Sequence, residues 1–186
     1  AKAAAALAAG ATLTEVCAAL HKNAEAPAVK AIAPHRWTER FEALRARTEA
    51  HQAKTGESIK VFLANMGPIP QHKPRADFST GFMEVANFEV LRNDGFQTVE
   101  EAAAAAKAAK ADVTVICSTD DTYPEIVPAL TKALKADSPE MTVILAGAPA
   151  ADHKDAYLEA GVDDFIHVKA NCYEILAQIQ AKRGIC

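Results

Sequence analysis

Five short apolar runs punctuate the chain after Gly56: IKVFLAN (59–65), FEVL (88–91), VTVIC (113–117), TVILAG (142–147) and DFIHV (164–168). Each is brief and almost continuously apolar, as a strand covered on both faces should be. Between and after them lie amphipathic stretches at about 75–86, 99–110, 124–136, 151–160 and 171–183, which predict helices. Thr98 and Glu101 have the spacing of a capping box at one helix start, and Gly161 stands where a helix-ending glycine belongs. Strands alternating with helices imply a parallel sheet with right-handed crossovers. The expected fold class is therefore α/β: a flavodoxin-like, doubly wound, five-stranded parallel sheet. Any ligand site then belongs in the loops after the strands, near the reversal of strand order.

The first 56 residues carry a different pattern, so the chain divides into a helical arm and linker (1–56) and the α/β domain (57–186). The opening AKAAAALAAGATL reads as alanine-rich helix, since it has neither the basic start nor the leucine-rich centre of a signal peptide. Thr12 and Glu15 form a second capping box, predicting a short helix to about Leu20. EAPAVKAIAP reads as extended linker, because Pro27 and Pro34 bias the residues before them away from helix. From Trp37 a second helix is expected, with Trp37, Phe41 and Leu44 as an apolar stripe and its end before Gly56. That stripe needs another surface to cover it. The chain also begins without Met, which suggests a longer N-terminal sequence.

Composition narrows the function classes. The 186 residues are 50% hydrophobic and 24% charged with a net charge of −4, so neither nucleic acid nor an anionic membrane is an expected partner. No apolar run reaches the roughly 18 residues of a membrane span. Cys17, Cys117, Cys172 and Cys186 form no CxxC pair, which fits a reducing cytoplasm, with three cysteines as small apolar fillers and one as a tail thiol.

Two loops hold candidate chemistry. The loop after the first strand contains Pro68, Pro70 and Pro74 around His72. With Gly67 as its only glycine and several donors removed by proline, it suits no phosphate. His72 could ligate a metal or act as a base, but is expected to be an exposed or locally hydrogen-bonded loop histidine. The loop after the third strand offers Asp120 and Asp121, a pair able to hold Mg²⁺ or accept a phosphoryl group as in a receiver domain. A receiver also needs an acidic pair after strand 1 and a hydroxyl after strand 4. Here those strands end Ala64-Asn65 and Ala146-Gly147, and Lys169 alone matches. Asp120, Asp121 or Thr122 is thus expected to cap the helix near Pro124. Cys117 has no identifiable base and is expected to be a buried strand cysteine. Asp163 and Asp164 are expected to form a turn into the last strand.

The order of these motifs resembles the C-terminal region of the methylmalonyl-CoA mutase small subunit. The resemblance runs from about Pro34 to Gly184 and is carried by KVFLANMGPIPQHKPRADFSTGFMEVANFEV, ADVTVICSTDDTYPEIVPALTKALK, VILAGAP and AGVDDFIHVKANCYEIL. It implies a flavodoxin-like domain in a cobalamin-linked family. Cobalamin-binding domains of this kind carry Asp-x-His-x-x-Gly after the first strand, with the His on cobalt and the Asp orienting it. Placing His72 on that His puts Pro70 at the Asp position and Arg75 at the Gly position, where it would fill space meant for the nucleotide tail. The Gly-Gly expected after strand 4 reads Ala146-Gly147. The resemblance therefore implies a degenerate domain with no catalytic, cofactor-binding or metal residues of its own. Adenosylcobalamin is expected on a large catalytic partner subunit that interconverts methylmalonyl-CoA and succinyl-CoA. The other expected partner is the N-terminal barrel of its own subunit, with the stripe at 37–54 as docking face. The alternatives are a true cobalamin site with His72 on cobalt and a divergent receiver.

Overall fold

The computed structural model describes residues 1–21 and 30–185. These residues form two compact units, Ala1–His35 and Arg36–Cys186. In the first, α1 (Lys2–Ala8) and α2 (Leu13–Leu20) are joined through Gly10, whose φ of +98° suits a residue without Cβ. Thr12 and Glu15 make both bonds of the expected capping box. The extended linker expected around Pro27 lies outside the described residues up to Lys30, as does Cys186; residues 30–34 form no helix or strand.

The second unit contains α3 (Glu39–Thr55), β1 (Lys60–Asn65), α4 (Ile69–Glu84), β2 (Glu89–Leu91), α5 (Val99–Ala108), β3 (Val113–Cys117), α6 (Tyr123–Asp137), β4 (Thr142–Ala146), α7 (Ala151–Ala160), β5 (Asp164–Ile166) and α8 (Cys172–Lys182). The strands make one parallel sheet in the order β2-β1-β3-β4-β5. This is the flavodoxin-like arrangement, whose strand order reverses between β1 and β3. The inner strands β1, β3 and β4 are buried on both faces, as their unbroken apolar runs require, while the edge strands β2 and β5 are partly open. Val61, Leu63, Val113, Val115, Ile144 and Ala146 face the helices α3, α4 and α8. Their neighbours Phe62, Ala64, Ile116, Val143 and Leu145 face α5, α6 and α7. The period of two along each strand divides one set of residues between two cores. Ala102, Ala103 and Ala106 of α5 form a close-packed, buried face, with Lys107 in solvent.

Two expectations change. The helix α3 packs within the second unit, so the compact division falls at His35 instead of residue 56. Its stripe is Phe41, Leu44 and Thr48; Trp37 precedes the helix and is fully exposed. Leu44 is wholly buried, and Phe41 meets Tyr173 of α8 edge-on with centroids 5.7 Å apart. Gln180 of α8 donates from Nε2 to both the Leu44 carbonyl and Thr48 Oγ1, at 2.7 Å each. The face expected to dock on another chain is covered by this chain's own last helix.

The second change is at α4, which begins at Ile69 instead of near residue 75. Proline is at home in a first helical turn, where the N–H it lacks would have no partner. Pro70 occupies such a position, and Pro74, one turn later, stays helical. What reads as a proline-rich loop is the start of a helix.

Candidate functional site

The carboxyl ends of β1, β3 and β4 bring Arg75 together with Cys117 and Asp120, while His72, one turn earlier on α4, lies against Gly67 and Gly95. At β1, Asn65 is buried and Gly67 turns the chain at φ +80° into α4. His72 then falls one turn inside the helix. It is only 4% exposed, so of the two forms expected, exposed or locally hydrogen-bonded, it takes the second, on a helix instead of a loop. Its Nδ1 lies 3.0 Å from the Gly67 carbonyl. A carbonyl can only accept, so Nδ1 carries a proton, and in the neutral ring the lone pair falls on Nε2. Pro70 provides no orienting carboxylate, but a backbone carbonyl does that work. Gly95, in the loop after β2, covers the ring: a Cβ there would stand 2.7 Å from His72 Cε1. That loop is held by Asn93, which donates to the Leu63 carbonyl at 2.8 Å and accepts from Gly95 N at 3.1 Å and Asn65 Nδ2 at 3.2 Å. Beside it runs a groove of about 580 Å³ lined by Asn65, His72, Lys73, Arg92 and Asn93, among others.

Arg75, one turn beyond His72, points across the sheet edge. Nη1 donates to the Ala146 carbonyl at 2.7 Å, and Nη2 to Asp120 Oδ1 at 2.8 Å. Tyr123 completes the cluster. Its hydroxyl donates to the same carbonyl at 2.6 Å and accepts from Ser118 N at 3.1 Å, while its ring centre lies 6.0 Å from the Arg75 guanidinium. Burial pushes the Tyr123 phenol above its ordinary range, so it remains a neutral donor. A Cβ on Gly147 would overlap Arg75 Nη1, so this glycine is needed to make room for the arginine.

Asp120 therefore serves an ion pair, while Asp121 beside it is exposed. Thr122 occupies the N-cap position of α6, but its hydroxyl donates to Ser118 Oγ and the Thr119 carbonyl, at 2.8 and 2.9 Å, and caps no helical N–H. Lys169 is exposed in the loop after β5. Asp163 accepts from Lys135, Lys182 and Val143 N, so it binds α6, α8 and β4 together away from this edge. Among the described residues no three His, Cys, Asp or Glu side chains are grouped to hold a metal ion, and no helix is long and apolar enough to cross a membrane.

Cys117 is fully buried at the end of β3, and burial pushes its thiol up to about 12, although Ser79 and Arg75 pull the other way. Cys17 is exposed on α2, contrary to its expected place as an apolar filler. Brief alkylation of the native protein at pH 8 should modify Cys17 and leave Cys117 unmodified until unfolding. Peptide mapping reads both; equal labelling of the two would mean that the β3 edge opens readily.

Tyr123, Asn93 and Gly95 carry no distinguishing sequence signal. The tyrosine sits at an ordinary apolar position of α6, and the Asn-Asp-Gly of the β2–α5 loop reads as a common turn.

No protein-family model matches the chain. Curated relatives do. A methylmalonyl-CoA mutase small subunit from Porphyromonas gingivalis is 40% identical over 161 residues, covering 84% of this chain and 24% of that protein. One from Streptomyces virginiae is 36% identical over 125 residues, 67% of this chain and 20% of the relative. A probable small subunit from Mycobacterium tuberculosis is 30% identical over 149 residues, 80% of this chain and 24% of the relative. The chain thus spans a quarter or less of these relatives, in their C-terminal part. Among solved structures, a cobalamin-binding protein from Desulfitobacterium hafniense superposes with a TM-score of 0.54 at 17% identity, over 80% of this chain and 71% of that one. A CheY-like protein from Pseudomonas aeruginosa gives 0.53 at 22% identity, over 69% of this chain and 95% of that one. At such identities the likeness concerns the fold alone.

Proposed function

We propose that this chain, homologous to the C-terminal part of methylmalonyl-CoA mutase small subunits, is a structural domain of an adenosylcobalamin-dependent mutase and binds no corrinoid itself. Interconversion of methylmalonyl-CoA and succinyl-CoA then belongs to the assembly, with the cofactor on a large partner subunit. The observation that carries this reading is the Arg75 clasp. A cobalamin tail on this fold needs an open crevice beyond the strand ends, and here the guanidinium lies between the Ala146 carbonyl and Asp120. His72 adds a second constraint: it is buried, and Gly95 of the β2–α5 loop stands against the Cε1 side of its ring.

One observation favours cobalt ligation. The Gly67 carbonyl fixes the tautomer that leaves Nε2 unprotonated, which is the form a metal-bound imidazole takes. Absorption titration with hydroxocobalamin, run beside His72→Ala, separates the two readings. The expected result is no spectral shift with either protein, both folded by circular dichroism. A shift in the parent that disappears in the variant would overturn the structural reading. The receiver reading has less support, since Asp120 is engaged by Arg75 and β1 ends in Asn65 with no acidic pair beside it.

A further inference from the structure

The contacts around Arg75 have the composition of a ligand site. Its guanidinium meets a strand-end carbonyl, a carboxylate and an aromatic ring, the set that would receive a small planar cation. These groups come from the end of β4, the loop after β3 and the first residue of α6, all at the carboxyl edge where open α/β sheets hold ligands. The arginine reaches them from α4, the helix that follows β1. Its side chain is 30% exposed, against 69% for Asp120, so the cation is the more enclosed partner.

We propose that this crevice is a guanidinium-type cation site which the chain fills with its own side chain, so that Arg75 acts as a built-in ligand holding the loops after β3 and β4. The inference deepens the structural reading above and rests on it only for the identity of the molecule excluded. One feature makes the site specific for a planar fork. The two nitrogens are directed to different acceptors, which one ammonium could not satisfy in the same geometry. The Ala146 carbonyl also retains the Tyr123 hydroxyl, so losing the arginine leaves a formed acceptor and not an orphaned one. Gly147 keeps the space open because it has no Cβ.

A site of this kind should accept the free ion once the tethered one is removed. In Arg75→Ala the melting temperature is expected to fall by about 3–6 °C. Roughly 50 mM guanidinium chloride should then raise it by about 1–2 °C, as for a weak ligand near its dissociation constant. The same concentration should leave the parent unchanged or slightly less stable, because there the ion acts only as a denaturant. Sodium chloride at equal ionic strength and urea should not reproduce the rise, and Asp120→Asn placed on Arg75→Ala should abolish it. If guanidinium lowers the stability of Arg75→Ala as it does the parent's, the built-in ligand is refuted. Should Arg75→Ala not fold, Arg75→Gln takes its place in the same comparison, and absence of a guanidinium-specific rise there is equally fatal. Because no corrinoid enters this experiment, its failure is distinguishable from a failure of the cobalamin titration.

Discussion

Leu44→Asp is expected to abolish the cooperative unfolding transition of the α/β unit, while Ala46→Asp on the same helix, at an exposed position, costs no more than about 1 kcal/mol. Leu44 has no exposed surface and shares a core with Met83 and Leu176. Removing such a leucine costs about 2–5 kcal/mol by cavity formation alone. A carboxylate in its place adds the cost of an unpaired buried charge, several kcal/mol more. Against a total domain stability of about 5–15 kcal/mol, the sum removes most of the margin. Relaxation is limited because Gln180 ties the Leu44 carbonyl and Thr48 to α8. Denaturant unfolding followed by circular dichroism reads the outcome. A Leu44→Asp protein that unfolds like its parent would mean that α3 is a detachable arm whose stripe is free for another chain.

Gly95→Ala should be the most damaging glycine substitution, at about 2–4 kcal/mol. Gly95 has φ +101°, where a side chain is strained, and its new methyl would lie 2.7 Å from His72 Cε1 and 3.3 Å from the Asn65 carbonyl. The histidine cannot yield easily, since its Nδ1 is bound to the Gly67 carbonyl and its ring lies under the β2–α5 loop. Gly184→Ala isolates the backbone contribution. It has φ +69° with nothing within 4 Å of the added carbon, so about 1 kcal/mol is expected there. Thermal melts of the two variants give the comparison, and the His72 ring signals in an NMR spectrum should shift in Gly95→Ala alone. Equal destabilisation of the two would show that the loop adapts and that His72 is not confined.

Much of the fold was legible because it depends on local regularities. The five apolar runs became the five strands of one parallel sheet, with no end moved by more than two residues. The capping boxes at Thr12 and Thr98 formed as their spacing dictates, since each bond joins residues three apart. The start of α4 was misread because proline has two local meanings, a loop residue and a first-turn helix residue. The distinction rests on whether later residues continue the helix, and here Ala76, Phe82 and Met83 do so by packing against the sheet.

The chemistry divides along the same line. Pro70 and Arg75 at the Asp and Gly positions of the cobalamin motif are a matter of sequence, and they already implied an altered site. Whether a given side chain is orienting, plugging or idle was decided only by contacts between residues far apart in the chain. Arg75 reaches Ala146 and Asp120 because β1, β3 and β4 are adjacent in the sheet. His72 is buried because Gly95, brought in by the β2–α5 loop, closes over it. The stripe of α3 was visible as apolar spacing, yet its partner is α8, more than a hundred residues later. Periodicity and capping are short-range and therefore written in order along the chain. Burial and the directions of hydrogen bonds exist only once the sheet has brought distant segments together.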